Sequence, residues 1–522
     1  MNKRWVCAMM AFFLGMQGCT QPVQEQPLSE PETAPMQISV AFWNIADYLA
    51  GDSLQKYIED KFHVQFVPVN ITYDNYPSKY QEMAVADELP DIFAHDIMGT
   101  SVYEAWIQDG KISALPSNLS EYPNLEAYLE TPYNQRFRTE NGKIYAIPRM
   151  TYPSEELWAL DRCILLRKDW METLGLEEPQ SWEEFVHLLQ AFVNEDPDQN
   201  GVNDTGGLTS VHLNVLEAVY LSIFPELSNT ERGWLYENER WMPVWASSRT
   251  GAALDQMQRL YRDGLLAPDF AYVTQKKAKE DFSQGRVGAI ACQYYAMLKH
   301  LASEGELEKA QDMILVMRPW PAEDGNRYRF TTSLHWSETY FGGNVNRDKM
   351  ERILQIYDWL LSDEFERIYR YGLEGTDWVW KGNEVQPLDE TGNTVLLNKY
   401  PSLNIFGYLA DWNQQDQYED TSANALLFGK ENVQYARELL RWYSENTVRV
   451  NYNYDIIFMS TPSKNRLISN RDVQREMVRA IMSHEQASLA WERSMQQFYA
   501  DTTLQEAIDE VTAKAKEKKI VG

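Results

Sequence analysis

From Ile38 to Phe93 the hydrophobic period of the chain switches four times, and that alternation restricts the fold more than any other feature of it. Ile38, Val40 and Phe42 repeat every second residue, as one face of a strand does. Asp52 or Ser53 then offers a helix cap ahead of Leu54, Tyr57, Ile58 and Phe62, which share one helical face. Val64, Phe66, Val67 and Val69 give a second strand, Tyr80, Met83 and Ala84 mark a second helix, and the segment around Ile92 gives a third strand. Two strand–helix–strand units in succession predict a parallel sheet with helices on both faces. Ligands of such sheets sit beyond the carboxyl ends of the strands, which singles out Trp43-Asn44 and His95-Asp96.

Ahead of that pattern, Lys3 and Arg4, the uncharged run from Trp5 to Met16, and Gly18 before Cys19 have the layout of a secretory signal over residues 1–18. The run is short for a spanning helix, which needs about twenty apolar residues. Met16-Gln17-Gly18-Cys19 resembles a bacterial lipobox, with Met16 where leucine is usual. The resemblance implies a lipidated Cys19 at the mature N-terminus, anchored to the outer face of the cell membrane. The alternative is an ordinary cleaved signal with an incidental cysteine. Residues 19–35 carry Pro22, Pro27, Pro31 and Pro35 and no aromatic residue, so they read as an extended tether reaching on the order of 50 Å.

The remaining length is enough for two to four domains, and 44% apolar content supports real cores. The formal charge of −29 becomes −31 once Lys3 and Arg4 leave with the signal. Such a field excludes nucleic acid and anionic headgroups as general partners and keeps the chain soluble. Beyond Cys7 and Cys19 there remain only Cys163 and Cys292, too few for a disulfide framework. They read as buried free thiols, with a single bridge between them as the alternative. Seventeen Trp and thirty Tyr exceed what a core requires, and flat amphipathic rings are what sugar faces stack on.

The segment MAVADELPDIF (Met83 to Phe93) resembles the "ASGDLPDI" segment of bacterial extracellular solute-binding proteins of the family 1 type, the saccharide-importer lipoproteins. The likeness continues in that family's order through GKIYAIPRM (Gly142 to Met150), LLRKDWMETLGLEEPQSWEEF (Leu165 to Phe185), LYRDGLLAPDF (Leu260 to Phe270), FSQGRVGAI (Phe282 to Ile290) and YRYGLEGTDW (Tyr369 to Trp378). It implies an α/β fold of the two-lobed periplasmic-binding type (type II), each lobe a mostly parallel sheet flanked by helices, with additional C-terminal helices. By that pattern residues 36–150 and about 331–380 form the first lobe, and about 151–330 with about 381–522 form the second lobe and the C-terminal helices. The crossovers would act as a hinge, and a saccharide, expected to be an oligosaccharide, would be enclosed between the lobes. The implied partner is an ABC permease, and the implied oligomeric state is a monomer. A ligand-loaded sensor docking on a membrane kinase is the second reading, and a secreted carbohydrate-active enzyme the third.

The blocks also have local readings. Asp169 is placed to cap a helix that Gly175 closes, Ser181 and Glu184 form a capping box, and Gly264 ends a helix carrying Leu254, Met257, Leu260 and Tyr261. The stretch from Trp491 to Lys518 reads as amphipathic helix packed on the lobes. Between Asp196 and Gly207, the residues Asp196, Asp198, Asn200, the Val202 carbonyl and Asp204 fall at loop positions one, three, five, seven and nine of a calcium loop, with Gly201 at six. Position twelve is Gly207 where a bidentate Glu is usual. The family resemblance adds weight to a structural calcium, because relatives carry a calcium loop here with an acidic residue where Thr205 stands. A solvated acidic turn is the alternative.

No catalytic motif accompanies these features. The seven histidines show no pair at metal-ligand spacing, and there is no phosphate loop, no G-x-S-x-G elbow and no C-x-x-C. No catalytic residue and no catalytic cofactor are expected. Ligand candidates follow strands or hinge crossovers: Trp43, Asn44, Asp96, Arg149, Tyr152, Tyr294, Tyr295, Trp336, Glu338 and Trp378. The rings would stack on sugar faces, while the polar groups would take hydroxyls or an acidic substituent.

Overall fold

The computed structural model describes residues 34–520 apart from 44, 73–74, 140, 212, 231–232, 389–392, 411–417, 420–421 and 468–469. The signal segment, Cys19, the tether up to residue 33 and Asn44 lie outside the described residues. Among those described, no helix is long and apolar enough to cross a membrane.

Two principal sheets are built from β1 (Met36–Trp43), β2 (Val64–Ile71), β3 (Ile92–His95), β4 (Ala146–Met150), β5 (Cys163–Arg167), β6 (Gly206–Ser210), β7 (Val287–Cys292), β8 (Ile314–Val316) and β9 (His335–Phe341). The first sheet has the order β2-β1-β3-β9-β4 and the second β8-β5-β7-β6. The helices used below are α1 (Ser53–Phe62), α2 (Tyr76–Val85), α3 (Ser101–Gln108), α4 (Trp182–Asn194), α5 (Thr250–Arg262), α6 (Tyr294–Ser303), α7 (Arg347–Leu360), α8 (Leu403–Ala410), α9 (Ser422–Phe428), α10 (Lys430–Asn446), α11 (Asn470–Ile481), α12 (Ala487–Ala500) and α13 (Thr503–Glu517).

The opening alternation folds as a parallel unit. β1 pairs in register with β2 from Met36–Val64 to Trp43–Ile71, and with β3 on its other side. Being central, β1 is covered on both faces, so Ala41 is buried along with Ile38, Val40 and Phe42. β9 returns antiparallel between β3 and β4. The carboxyl ends of β1, β2, β3 and β4 and the amino end of β9 therefore share one edge, which gathers Trp43, Ile71, His95, Met150 and His335. The second sheet is mixed: β5 runs antiparallel to both β7 and β8, and only β6 and β7 are parallel.

Local capping follows the sequence in most places. Asp52 accepts the Gln55 amide at 2.9 Å, Ser181 accepts the Glu184 amide at 3.3 Å, and Gly175 and Gly264 close their helices at φ of 66° and 71°. Asp169 departs from expectation, because its carboxylate binds the Arg167 guanidinium in bidentate fashion and does not cap. The stretch after Trp491 is two helices, α12 and α13, broken at Thr502, whose φ is 57°.

The chain passes between the sheets three times, through 151–162, 317–334 and 447–453. These crossings hold one another: the Thr151 amide donates to the Leu334 carbonyl at 2.6 Å, and residues 328–329 pair in parallel with 448–449. The Tyr454 hydroxyl donates to Glu155 at 2.8 Å and to the Thr332 carbonyl at 3.2 Å.

The C-terminal third, which the sequence reading grouped as second lobe and C-terminal helices, packs against both sheets. α8 lies on the first sheet, with Phe406 5.2 Å from Phe66, Tyr408 stacked at 6.1 Å on Phe42, and the Leu409 carbonyl accepting from Thr339 at 2.8 Å. Its apolar face matches a sheet surface that α7 leaves open. α11 and α12 pack on α5, and α13 on the strand 240–243, all beside the second sheet.

Cys163 and Cys292 face each other across β5 and β7 as free, buried thiols. The Cys163 thiol donates to the Cys292 carbonyl at 3.1 Å, and burial pushes the Cys292 thiol up to about 12.

Candidate binding site

The shared edge of the first sheet brings three of the expected residues together. Trp43 ends β1, Trp336 lies in β9, and Asp96 follows β3. The Trp43 ring is 5.0 Å from Trp336 and 5.4 Å from Tyr76, edge to face in both cases. Trp43 is buried while Trp336 is half-buried, so Trp336 presents the open ring of the pair. Asp96 is oriented by the Tyr76 hydroxyl at 2.9 Å and by His95 Nδ1 at 3.2 Å, with its side chain 30% exposed. A half-open ring beside a pre-oriented carboxylate can stack on a sugar face and accept its hydroxyls. Tyr76 escaped the sequence reading, although it follows β2 as Trp43 and Asp96 follow β1 and β3.

Other candidates are committed to internal partners. Arg149 is fully buried, donating from Nε to the Tyr408 carbonyl at 2.5 Å and from Nη1 to Ser337 at 2.7 Å, with its guanidinium 4.5 Å over the Phe42 ring. Burial lowers its proton affinity, so the carbonyl and ring faces are what hold the charge in place. Glu338 is 2% exposed and is held by His335 Nε2 at 3.0 Å, the Tyr340 hydroxyl at 2.8 Å and the Met98 amide at 3.4 Å. His335 in turn meets the Tyr133 hydroxyl at 2.6 Å, which makes a closed chain of buried polar groups. Trp378 packs beneath the turn after Tyr371, its indole N–H donating to the Gly372 carbonyl at 2.9 Å. None of the three presents a polar group to an open face.

On the second lobe Asp161 is the hub. It accepts Tyr152 at 2.5 Å and Gln293 at 2.6 Å, and pairs with Arg162, whose Nε reaches Glu217 at 2.5 Å. Tyr152 thus lies in the first crossing between the sheets, buried with its ring against Trp158, and burial, with Asp161 beside it, pushes its phenol well up. Tyr294 is buried against Tyr418 and Tyr435. Tyr295 is half-buried; its ring lies 5.0 Å from Phe428 of α9 and its amide donates to the Tyr418 hydroxyl at 3.0 Å. Tyr408 and Tyr418 come from the C-terminal third, where no periodic pattern pointed to a site.

The acidic loop joins α4 to β6. The Asn200 amide nitrogen donates to Asp198 at 2.9 Å and to Asp204 at 3.1 Å, while Asp196 takes the backbone amides of Asn200 and Gly201 at 3.1 and 3.0 Å. An NH₂ group therefore stands where these oxygens converge, as a hard cation would. Among the described residues, no three His, Cys, Asp or Glu side chains gather closely enough to hold a metal in this arrangement. A side chain at Gly207 would come within 2.4 Å of the Leu265 carbonyl, so position twelve cannot carry a glutamate. Thr205 is turned inward to the Phe192 carbonyl at 2.6 Å and is not a loop ligand.

No protein-family model matches the chain. In sequence it is similar to the lipoprotein LipO of Bacillus subtilis, 23% identical over 66% of this chain and 66% of that one. It is also 23% identical to the polygalacturonan/rhamnogalacturonan-binding protein YtcQ of the same organism, over 62% of each chain. The matches thus span less than two thirds of the length of these relatives. In structure it resembles the alginate-binding protein AlgQ2, with a TM-score of 0.68 at 15% identity, covering 92% of this chain and 99% of that one. The Streptococcus pneumoniae ABC-transporter substrate-binding protein FusA, solved with kestose, gives 0.67 at 14% identity over 92% and 100%. FusA has also been solved as an EF-hand mutant with fructo-nystose, and superposes with a TM-score of 0.66.

Proposed function

We propose that this chain, an extracellular solute-binding protein by its fold and its relatives, captures an oligosaccharide between its two lobes and delivers it to an ABC permease. The observation that carries this reading is the half-open Trp336 beside Trp43 and Asp96, on the edge of the first sheet where the hinge crossings begin. Trp336 stacks on a sugar ring and Asp96 accepts its hydroxyls, while the facing surface of the second lobe, around Tyr295, completes the contacts. Closure is a population shift: a ligand that touches both lobes favours the closed state by its differential affinity for it. YtcQ, AlgQ2 and FusA are named as binding proteins, and the chain performs no catalysis in this reading.

The same proposal places Cys19 as the lipid anchor and residues 19–35 as the tether that holds a monomeric body beside its permease. The loop from Asp196 to Asp204 binds a structural calcium through Asp196, Asp198, Asn200, the Val202 carbonyl and Asp204, once the Asn200 amide turns its oxygen inward. This is supported by the approach of the Asp198 and Asp204 carboxylates to the Asn200 amide and by the occurrence of an EF-hand in FusA. A thermal-shift screen of oligosaccharides tests the main reading. A cognate sugar at a hundredfold its Kd adds about 2.7 kcal/mol to stability, and a flat response to every saccharide would remove it.

A further inference from the structure

The strand that carries Trp336 is not regular. On β9, His335 pairs with Met150 and Ser337 with Arg149, so two steps along β9 answer a single step of β4, and Trp336 is the extra residue of a β-bulge. Beyond the bulge the strand alternates normally. Ser337 meets Arg149 and Thr339 meets the Leu409 carbonyl of α8 on one face, while Glu338 and Tyr340 lie on the other, where the Tyr340 ring is 6.2 Å from Tyr103 of α3. An unbroken strand would put His335 on the face of Ser337. One added residue inverts that order, and His335 Nε2 instead reaches the Glu338 carboxylate at 3.0 Å.

This hydrogen bond spans the bulge, from the residue before Trp336 to the second residue after it, and both of its members are buried. A neutral imidazole with its hydrogen on Nε2 satisfies the whole chain of groups. The Tyr133 hydroxyl then donates to Nδ1 at 2.6 Å, Nε2–H donates to Glu338 Oε1, and the Tyr340 hydroxyl and the Met98 amide donate to Glu338 Oε2 at 2.8 and 3.4 Å. A buried polar network with its members satisfied fixes one geometry, because any other leaves a group unmet in a low-dielectric interior. Met98 lies two residues beyond Asp96, so the same carboxylate holds the segment that follows Asp96 and the bulge that carries Trp336.

We infer that His335 and Glu338 are positioning residues for saccharide capture: their hydrogen bond closes the bulge and so turns the Trp336 ring out against Trp43 at the edge of the sheet. The inference rests on the solute-binding reading and assigns two further residues to that site, neither of which touches sugar. It also accounts for a buried carboxylate in the strand that carries the half-open ring, since a bulge next to a site re-aims a side chain only when something holds it in one form.

The test follows Trp336 itself in the full chain labelled with ¹⁵N-tryptophan, its indole resonance being assigned by its loss in Trp336→Phe. The variants are Glu338→Gln, which is nearly isosteric, and Tyr133→Phe, which removes one hydroxyl from the end of the chain and keeps the test decisive where the first does not fold; melting of each ligand-free variant verifies folding. The Trp336 and Trp43 indole resonances are expected to shift in either folded variant while those of tryptophans in the second lobe stay in place. In calorimetry, Glu338→Gln is expected to weaken a saccharide that binds the natural chain roughly fivefold, and to cause no further loss in a chain that already carries Trp336→Ala. An unmoved Trp336 resonance, or unchanged affinity in the folded variants, overturns the assignment. An equal loss with and without Trp336 also overturns it, because Glu338 then acts apart from that ring. Failure of every saccharide to bind the natural chain overturns instead the capture reading on which the inference rests.

Discussion

The Trp336 ring stands 5.0 Å from the Trp43 ring at an interplanar angle of 62°, although 293 positions separate the two residues in the chain. β9 returns from the second lobe into the middle of the first sheet and delivers Trp336 to the end of β1. Because Trp43 is buried, it braces the half-open Trp336 in one orientation. Trp336→Ala is expected to weaken binding of the cognate saccharide roughly tenfold or more, the scale of one stacked aromatic face, with little change in ligand-free melting. Calorimetry on the variant measures this; unchanged affinity would take Trp336 out of the site.

Arg149 ties β4 to α8 through the Tyr408 carbonyl and is fully buried. Arg149→Met is expected to lower unfolding free energy by about 1–3 kcal/mol, the cost of leaving buried acceptors unmet. Urea denaturation reads the loss. Normal stability with abolished sugar binding would instead make it a ligand group.

The Lys464 ammonium is buried and donates to the carbonyls of Ile456, Ile457 and Met459 at 2.9, 2.6 and 2.6 Å. Burial, with Lys514 nearby, pushes it down to about 7. Between about 7 and the ordinary lysine value of 10.5 the unfolded chain holds the extra proton, so stability contributed by this group rises with pH across that window. Denaturation midpoints at pH 6, 8 and 9 should therefore climb more steeply for the natural chain than for Lys464→Met. Parallel pH profiles would contradict the assignment.

The acidic loop spans α4 and β6, so a bound ion would fasten the second lobe without touching sugar. Calcium is expected to raise the melting temperature and a chelator to lower it, and Asp196→Ala should abolish both responses. A natural chain indifferent to calcium would leave the loop as a hydrogen-bonded turn.

What the sequence disclosed depended on how local the cause was. The parallel unit of β1, β2 and β3 was legible because its periodicity and caps lie within sixty residues. Trp43 and Asp96 were singled out by the rule that sites follow strand ends, and Trp336 by its place in the hinge return. Glu338 and Trp378 were named as ligand candidates by position, and their internal partners, His335, Tyr340 and the Gly372 carbonyl, were not legible from that position. The placement of α8 on the first sheet was not legible, since it depends on an apolar surface assembled from β1, β4 and β9.

The central claim is capture by closure around an oligosaccharide, and small-angle X-ray scattering of the full chain with and without a saccharide that binds in calorimetry tests it most directly. One-to-one binding accompanied by a smaller radius of gyration, and by recovery of the sugar intact, is the predicted result. Binding with no change in radius, or conversion of the sugar to products, would contradict it.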